Sequence, residues 1–111
     1  MTSFRHDLKK NKYRNTPTRV DGIRFDSKKE ANYYKDLKAI KEHKDGGLIM
    51  FLRQTPFHLP GEPPVIYRLD FMEFWEDGRV KFVDVKGRDT PMSKLKRKQV
   101  EALYHVTIDL A

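Results

Sequence analysis

Residues 67–87, YRLDFMEFWEDGRVKFVDVKG, constrain the fold more than any other stretch of the chain. Two runs rich in aromatic and β-branched residues flank a short polar turn, the pattern of two strands in a hairpin. Asp70 lies inside the first run. Asp84 and Lys86 lie inside the second, two residues apart and so on one face of a strand. An ionised carboxylate in an apolar strand is costly unless it is paired or bound to a cation.

The turn fixes how the two runs face each other. Glu76, Asp77 and Gly78 suit a three-residue hairpin loop, with a type I turn followed by Gly78 in the left-handed conformation. That loop pairs Trp75 with Arg79, and stepping back along both strands sets Asp70 opposite Asp84. Directly opposed residues have Cβ atoms roughly 5 Å apart, and two carboxylates that close repel unless a cation lies between them. A two-residue loop at Asp77-Gly78 would pair Asp70 with Val85 instead and mismatch the side-chain faces. The three-residue loop is therefore expected.

The rest of the chain reads as one α/β domain, a central mixed β-sheet flanked by helices. Residues 18–25 suggest a small hairpin turning at Asp21-Gly22. Ser27, with Glu30 three residues later, has capping-box spacing and opens a helix that runs to about Lys44 and ends at Gly46-Gly47. Tyr33, Tyr34, Leu37 and Ile40 form its apolar stripe. Glu30 has two readings from spacing alone: a cap reaching back to Ser27, or a carboxylate directed at Asp70 and Asp84. Residues 48–52 are continuously apolar, as in a buried strand. Residues 60–64, PGEPP, form a loop. Beyond a turn at 88–91, a helix over 92–104 is expected to pack through Met92, Leu95, Val100 and Leu103. A short strand over 106–108 closes the domain.

Charge and composition narrow the chemistry. The chain has 111 residues, no cysteine and a net charge of +7. Without cysteine there is neither a disulfide framework nor a thiolate metal site. No apolar run approaches the roughly 20 residues of a membrane span, and residues 1–15 lack the apolar centre of a secretion signal, so a cytoplasmic protein is expected. Residues 1–20 and 86–98 each hold six Lys or Arg against one Asp. Basic segments around an acidic middle suit a polyanion held by its phosphates, although Lys-rich surfaces also serve plain solubility. Residues 1–15 read as a flexible basic arm ahead of a domain over 16–111. His6, His43, His58 and His105 have no metal-ligand spacing and read as surface residues.

Hydrolysis of a phosphodiester at neutral pH calls for a hard divalent cation held by carboxylates and for stabilisation of developing negative charge. Asp70, Asp84 and the Val85 carbonyl provide oxygen ligands, and Lys86 a cation that positions water or neutralises charge. Carboxylates without cysteine favour Mg²⁺ or Mn²⁺ over Zn²⁺. Asp70 followed by Asp84-Val85-Lys86 resembles the PD-(D/E)xK signature of restriction-endonuclease-like nucleases. Asp21-Gly22-Ile23-x-Phe25-Asp26-Ser27-Lys28-x-Glu30-Ala31, Gln54-x-x-Phe57 and Tyr67-x-x-Asp70-Phe71 extend the likeness over residues 12–108. Together they look like short phage-encoded nucleases similar to archaeal-type Holliday junction resolvases. Leu69 stands where the signature has Pro, a position that varies in the superfamily.

The resemblance implies a restriction-endonuclease-like domain and a Mg²⁺-dependent, structure-selective DNA endonuclease acting on four-way junctions, in a phage context. It implies that Glu30 completes the metal site with Asp70 and Asp84, and that the protein is a homodimer making two symmetric cuts. Lys10, Lys12 and Arg14 in the arm, with Arg88, Lys94, Lys96, Arg97 and Lys98 around the last helix, are then expected to hold the DNA backbone. A flap, end or duplex nuclease of the same superfamily, and a non-catalytic DNA-binding module, are the alternatives.

Overall fold

The computed structural model describes residues 17–111; the expected basic arm, with Lys10, Lys12 and Arg14, lies outside them. β1 (Thr18–Val20) and β2 (Ile23–Phe25) pair antiparallel, with Thr18 opposite Phe25. Asp21 and Gly22 both take positive φ, 54° and 76°, as a two-residue hairpin turn requires. The Asp21 carboxylate accepts from the Tyr34 hydroxyl at 2.9 Å and from Lys38 Nζ at 2.5 Å. Those bonds tie the hairpin to α1 (Lys28–Glu42).

Helix α1 starts and stops for local reasons. Ser27 Oγ accepts from the Glu30 amide at 3.1 Å, satisfying one of the amides that a helix start leaves unpaired. Ala31, Tyr34 and Leu37 are its buried apolar stripe. At the far end the His43 amide donates to the carbonyls of Ala39 and Ile40. A Cβ at Gly46 would lie 2.2 Å from the Ile40 carbonyl oxygen, so the chain can leave the helix by this route only with glycine there.

The remaining elements are β3 (Leu48–Leu59), β4 (Val65–Trp75), β5 (Val80–Asp84), α2 (Pro91–Tyr104) and β6 (Ile108–Leu110). The sheet order is β3-β4-β5-β6, antiparallel except for the parallel pair β5 and β6. Helix α2 makes the crossover that a parallel pair requires. The domain is thus α/β with a mixed sheet, as expected. In the hairpin, Phe71 faces Val83 and Phe74 faces Val80. The Trp75 amide donates to the Arg79 carbonyl at 2.9 Å, and Gly78 has φ 91°. This is the three-residue loop read from the sequence.

The core falls into two clusters. One gathers Phe25, Ala31, Tyr34, Leu37, Leu48, Phe71, Val83 and Val85 around α1. The other gathers Leu59, Tyr67, Leu69 and Ile108 around Val100 of α2. Leu69 and Phe71 are two residues apart in one strand, yet belong to different clusters, so simple strand alternation fails at Asp70. The partner strand is irregular at the same level. Arg53 pairs with Phe71 and Thr55 with Leu69, while Gln54 between them takes φ 53°.

Three expectations are corrected. The run 48–52 is not wholly buried: Ile49, Met50 and Leu52 are exposed, because β3 is the sheet's edge strand. The edge position also explains how β3 accommodates Pro56, whose missing N–H no inner strand could spare. Helix α2 faces the core through Arg97 and Val100, while Met92, Leu95 and Leu103 are exposed. Arg97 binds Asp89 through two bonds of 2.9 Å, and that pairing turns the helix away from its apolar stripe. Tyr104 fixes its far end by donating to the His58 carbonyl at 2.6 Å. The last strand lies at Ile108–Leu110, not 106–108. Among the described residues, no helix is long and apolar enough to cross a membrane.

The rotation of α2 has a measurable consequence. Phe71→Ala, at a fully buried ring, is expected to cost about 3–5 kcal/mol of unfolding free energy. Leu95→Ala is expected to change it by less than about 0.5 kcal/mol. Urea denaturation of both variants checks the pair; a large loss at Leu95 would mean that α2 packs on its apolar stripe after all.

Candidate functional site

Strand β4 brings Asp70 to the level where β5 ends, and the two strands are joined there by side chains. The Asp70 amide donates to Asp84 Oδ1 at 3.1 Å, and the Val85 amide donates to Asp70 Oδ2 at 2.9 Å. The hairpin register therefore does bring Asp70 and Asp84 together, but their carboxylates turn to different partners. Asp84 is 1% exposed and also accepts from the Tyr67 hydroxyl. Asp70 remains half-buried, with Oδ1 accepting from Gln54 Nε2 at 3.2 Å.

Glu30 arrives from α1. Its amide serves the Ser27 cap while its carboxylate turns toward β3, 3.4 Å from Gln54 Nε2 and 3.7 Å from Arg53. Ser27 therefore caps the helix through its own hydroxyl, while the Glu30 carboxylate does not reach back to the Ser27 amide and turns instead to the side of the site where Gln54 meets Asp70. Arg53 is in turn stacked over the Phe25 ring at 4.4 Å. Lys86 Nζ lies 3.9 Å from Asp84 Oδ2, and Lys29 Nζ donates to the Lys86 carbonyl at 2.9 Å.

These groups surround an open cavity of about 400 Å³, lined by Glu30, Asp70, Val85, Lys86, Arg88 and Thr90 among others. Acidic and basic side chains thus line the same cavity. Burial pushes the Glu30 carboxyl up to about 7, aided by the charge of Asp70 and opposed by Arg53. Burial also raises Asp70, against the pull of the Val85 amide and Gln54, and raises Asp84, against the Asp70 amide and Lys86. All three carboxylates are less comfortable ionised here than in water.

Among the described residues, no three His, Cys, Asp or Glu side chains are gathered so as to hold a metal ion by themselves. Asp26, Glu30 and Asp70 are the acidic residues that line the cavity, with Val85 beside them. Asp26 is exposed and paired with Arg24 at 3.0 Å, which leaves Glu30 and Asp70 as the donors. That donor set fits Mg²⁺, which keeps several waters and binds through one or two carboxylates together with phosphate oxygens. Asp84 stands behind Asp70, holding its backbone.

The basic residues expected to bind a polyanion divide. Arg88 lines the cavity, Lys94 and Lys98 are exposed on α2, and Lys96 is half-buried. Arg97 is removed from this set, since it is buried and committed to Asp89. His43, His58 and His105 are exposed, as expected. Sequence reasoning assigned no role to Arg53, Gln54, Lys29 or Tyr67. The polar tripeptide 53–55, interrupting an otherwise apolar strand, was the signal for two of them.

The raised carboxyls make stability depend on pH. In the absence of divalent cations, Glu30 holds its proton from its ordinary 4.5 up to about 7 when folded, so the folded state binds more protons across that window. Stability is then fullest below about pH 4.5 as far as Glu30 is concerned, and is lost as pH rises through about 7. The full shift corresponds to at most about 3 kcal/mol. Urea midpoints between pH 5 and 8 should fall, and Glu30→Gln should flatten the decline; equal slopes in the two proteins would show that Glu30 is not the group responsible.

No curated protein and no solved structure matches the chain. One family profile does, over residues 10–109, nearly the whole sequence. The chain belongs to that family, DUF1064, described as a protein of unknown function.

Proposed function

We propose that this protein is a Mg²⁺-dependent, structure-selective DNA endonuclease of the PD-(D/E)xK type, cutting four-way junctions as Holliday junction resolvases do. The observation that carries the reading is the convergence of Glu30, Asp70 and Lys86, from a helix, a strand and a strand's exit, on one cavity with Arg88 at its rim. The resemblance of Asp70 with Asp84-Val85-Lys86 to the nuclease signature supports it.

In this reading Glu30, Asp70 and the Val85 carbonyl hold Mg²⁺, or Mn²⁺ in its place. When bound, the cation lowers the pKa of water and screens charge on the phosphodiester. Lys86 stands where a cation can orient that water or neutralise the developing phosphorane charge. Asp84 acts through its neighbours: it fixes the Asp70 backbone and faces Lys86. Arg88, Lys94 and Lys98 hold the DNA backbone, which selects shape and not sequence. Two symmetric cuts across a junction need two sites, so the reading carries a homodimer with it.

The test is cleavage of labelled four-way junction, flap and linear duplex in Mg²⁺, beside Asp70→Asn and Lys86→Ala. Junction nicks that fall at least about 100-fold in both variants are expected. Duplex cut as fast as junction would remove the resolvase assignment and leave a nuclease. Tight junction binding with no cleavage in Mg²⁺ or Mn²⁺ would leave a binding module.

DNA contacts are checked separately by salt dependence. Lys98→Ala should weaken junction binding and reduce the slope of log K against log salt by roughly one. Arg97→Ala should instead lower thermal stability, because it leaves Asp89 without its partner.

A further inference from the structure

Gln54 is the residue whose conformation the fold least explains. It sits mid-strand in β3 with φ 53°, a left-handed conformation uncommon for any residue with a Cβ. Regular pairing continues at Arg53 on one side and Thr55 on the other, so no turn or loop requires the excursion. Its result is local: Nε2 lies 3.2 Å from Asp70 Oδ1 and 3.4 Å from Glu30 Oε2. A single amide group thus spans two of the carboxylates that line the cavity. Backbone strain kept at such a place points to a role there and not in folding.

We propose that Gln54 is a positioning residue for a divalent cation, its carboxamide setting the separation of Glu30 and Asp70 and the oxygens they turn to the cavity. This rests on the metal-dependent reading above. The other Asp70 oxygen is already committed to the Val85 amide, and Arg53 lies beside the same Glu30 oxygen that Gln54 meets. Each of the two carboxylates is therefore tethered through one oxygen by Gln54 and held by a second group. With the amide gone, Glu30 and Asp70 would be left to mutual repulsion, and the cation would have to gather them as it bound. The amide is the neutral donor best suited to the place: a Lys here would compete with the cation, and an apolar side chain would leave Asp70 only the Val85 amide and Glu30 only Arg53, with nothing joining the two.

The backbone requirement and the amide requirement can be separated. Gln54→Gly and Gln54→Asn both tolerate left-handed backbone, but glycine has no amide and asparagine is one methylene too short to reach both carboxylates. Mn²⁺ binding by calorimetry, without DNA, is the readout, with far-UV circular dichroism and Tm measured in parallel. Both variants are expected to fold and to bind Mn²⁺ at least tenfold more weakly, in the range known for groups that orient metal ligands. In cleavage assays the Mg²⁺ concentration for half-maximal rate should rise by the same factor, with the rate at saturating Mg²⁺ within about threefold of wild type. Phe71→Leu, a destabilised core variant, should keep wild-type Mn²⁺ affinity, which separates positioning from general loosening. Unchanged Mn²⁺ affinity in both Gln54 variants would overturn the proposal while leaving the metal-dependent function standing. A wild-type protein that binds no Mn²⁺ would overturn both.

Discussion

Two hydrogen bonds between the middle of β4 and the end of β5 hold the centre of this molecule. Each aspartate takes a backbone amide from across the strand pair: Asp84 from Asp70, Asp70 from Val85. Carboxylates bonded by main-chain amides cannot swing freely, and the amides themselves would be buried without a partner if the carboxylates were removed. The same level carries the next strand as well, since the Ala111 amide donates to the Asp84 carbonyl at 2.9 Å. Hairpin end, last strand and cavity wall therefore share one set of bonds.

This junction coincides with the point where the sheet changes its allegiance. Above it, Phe71 and Val83 pack with α1; below it, Leu69 and Tyr67 pack with α2. A strand that alternated strictly would have buried Asp70 under one helix or exposed it. The irregularity at Gln54 and Asp70 instead leaves Asp70 half-buried at the cavity, which Glu30 lines from α1 and Lys86 and Arg88 from the segment after β5. Of the two cores only Val85 borders the cavity, and its other walls are polar.

Much of this was legible in the sequence because it depended on local rules. The hairpin register followed from one glycine, the helix start from Ser27 and Glu30, and the end of α1 from paired glycines. Asp70, Asp84 and Lys86 stood out because charge in an apolar strand is conspicuous. What escaped depended on which side-chain partners were chosen and on where each element sits in the sheet. Helix α2 offered two stripes, and the apolar one lost because Asp89 binds Arg97 on the other. The exposure of β3 depended on its place at the sheet edge, which a linear pattern does not contain. Glu73, a charge in the same apolar run as Asp70, received no role from the sequence, yet it is 1% exposed and accepts from the Tyr33 hydroxyl at 2.6 Å and the Trp75 indole at 3.1 Å. Burial between two aromatic donors satisfies it, and those donors come from different elements.

The orientation of α2 has a colloidal side. With Arg97 turned inward, Met92, Leu95 and Leu103 lie on the solvent face of the same helix as Lys94 and Lys98. Dispersal of the molecules in solution thus depends on like-charge repulsion, supplied by a net charge of +7, held over an apolar strip that attracts its own kind. Repulsion of this sort reaches about 10 Å at 0.1 M salt and only about 3 Å at 1 M. High ionic strength therefore uncovers the attraction, while a polyanion that neutralises the lysines removes the repulsion directly. Solubility and the proposed nucleic-acid contact would draw on the same few side chains.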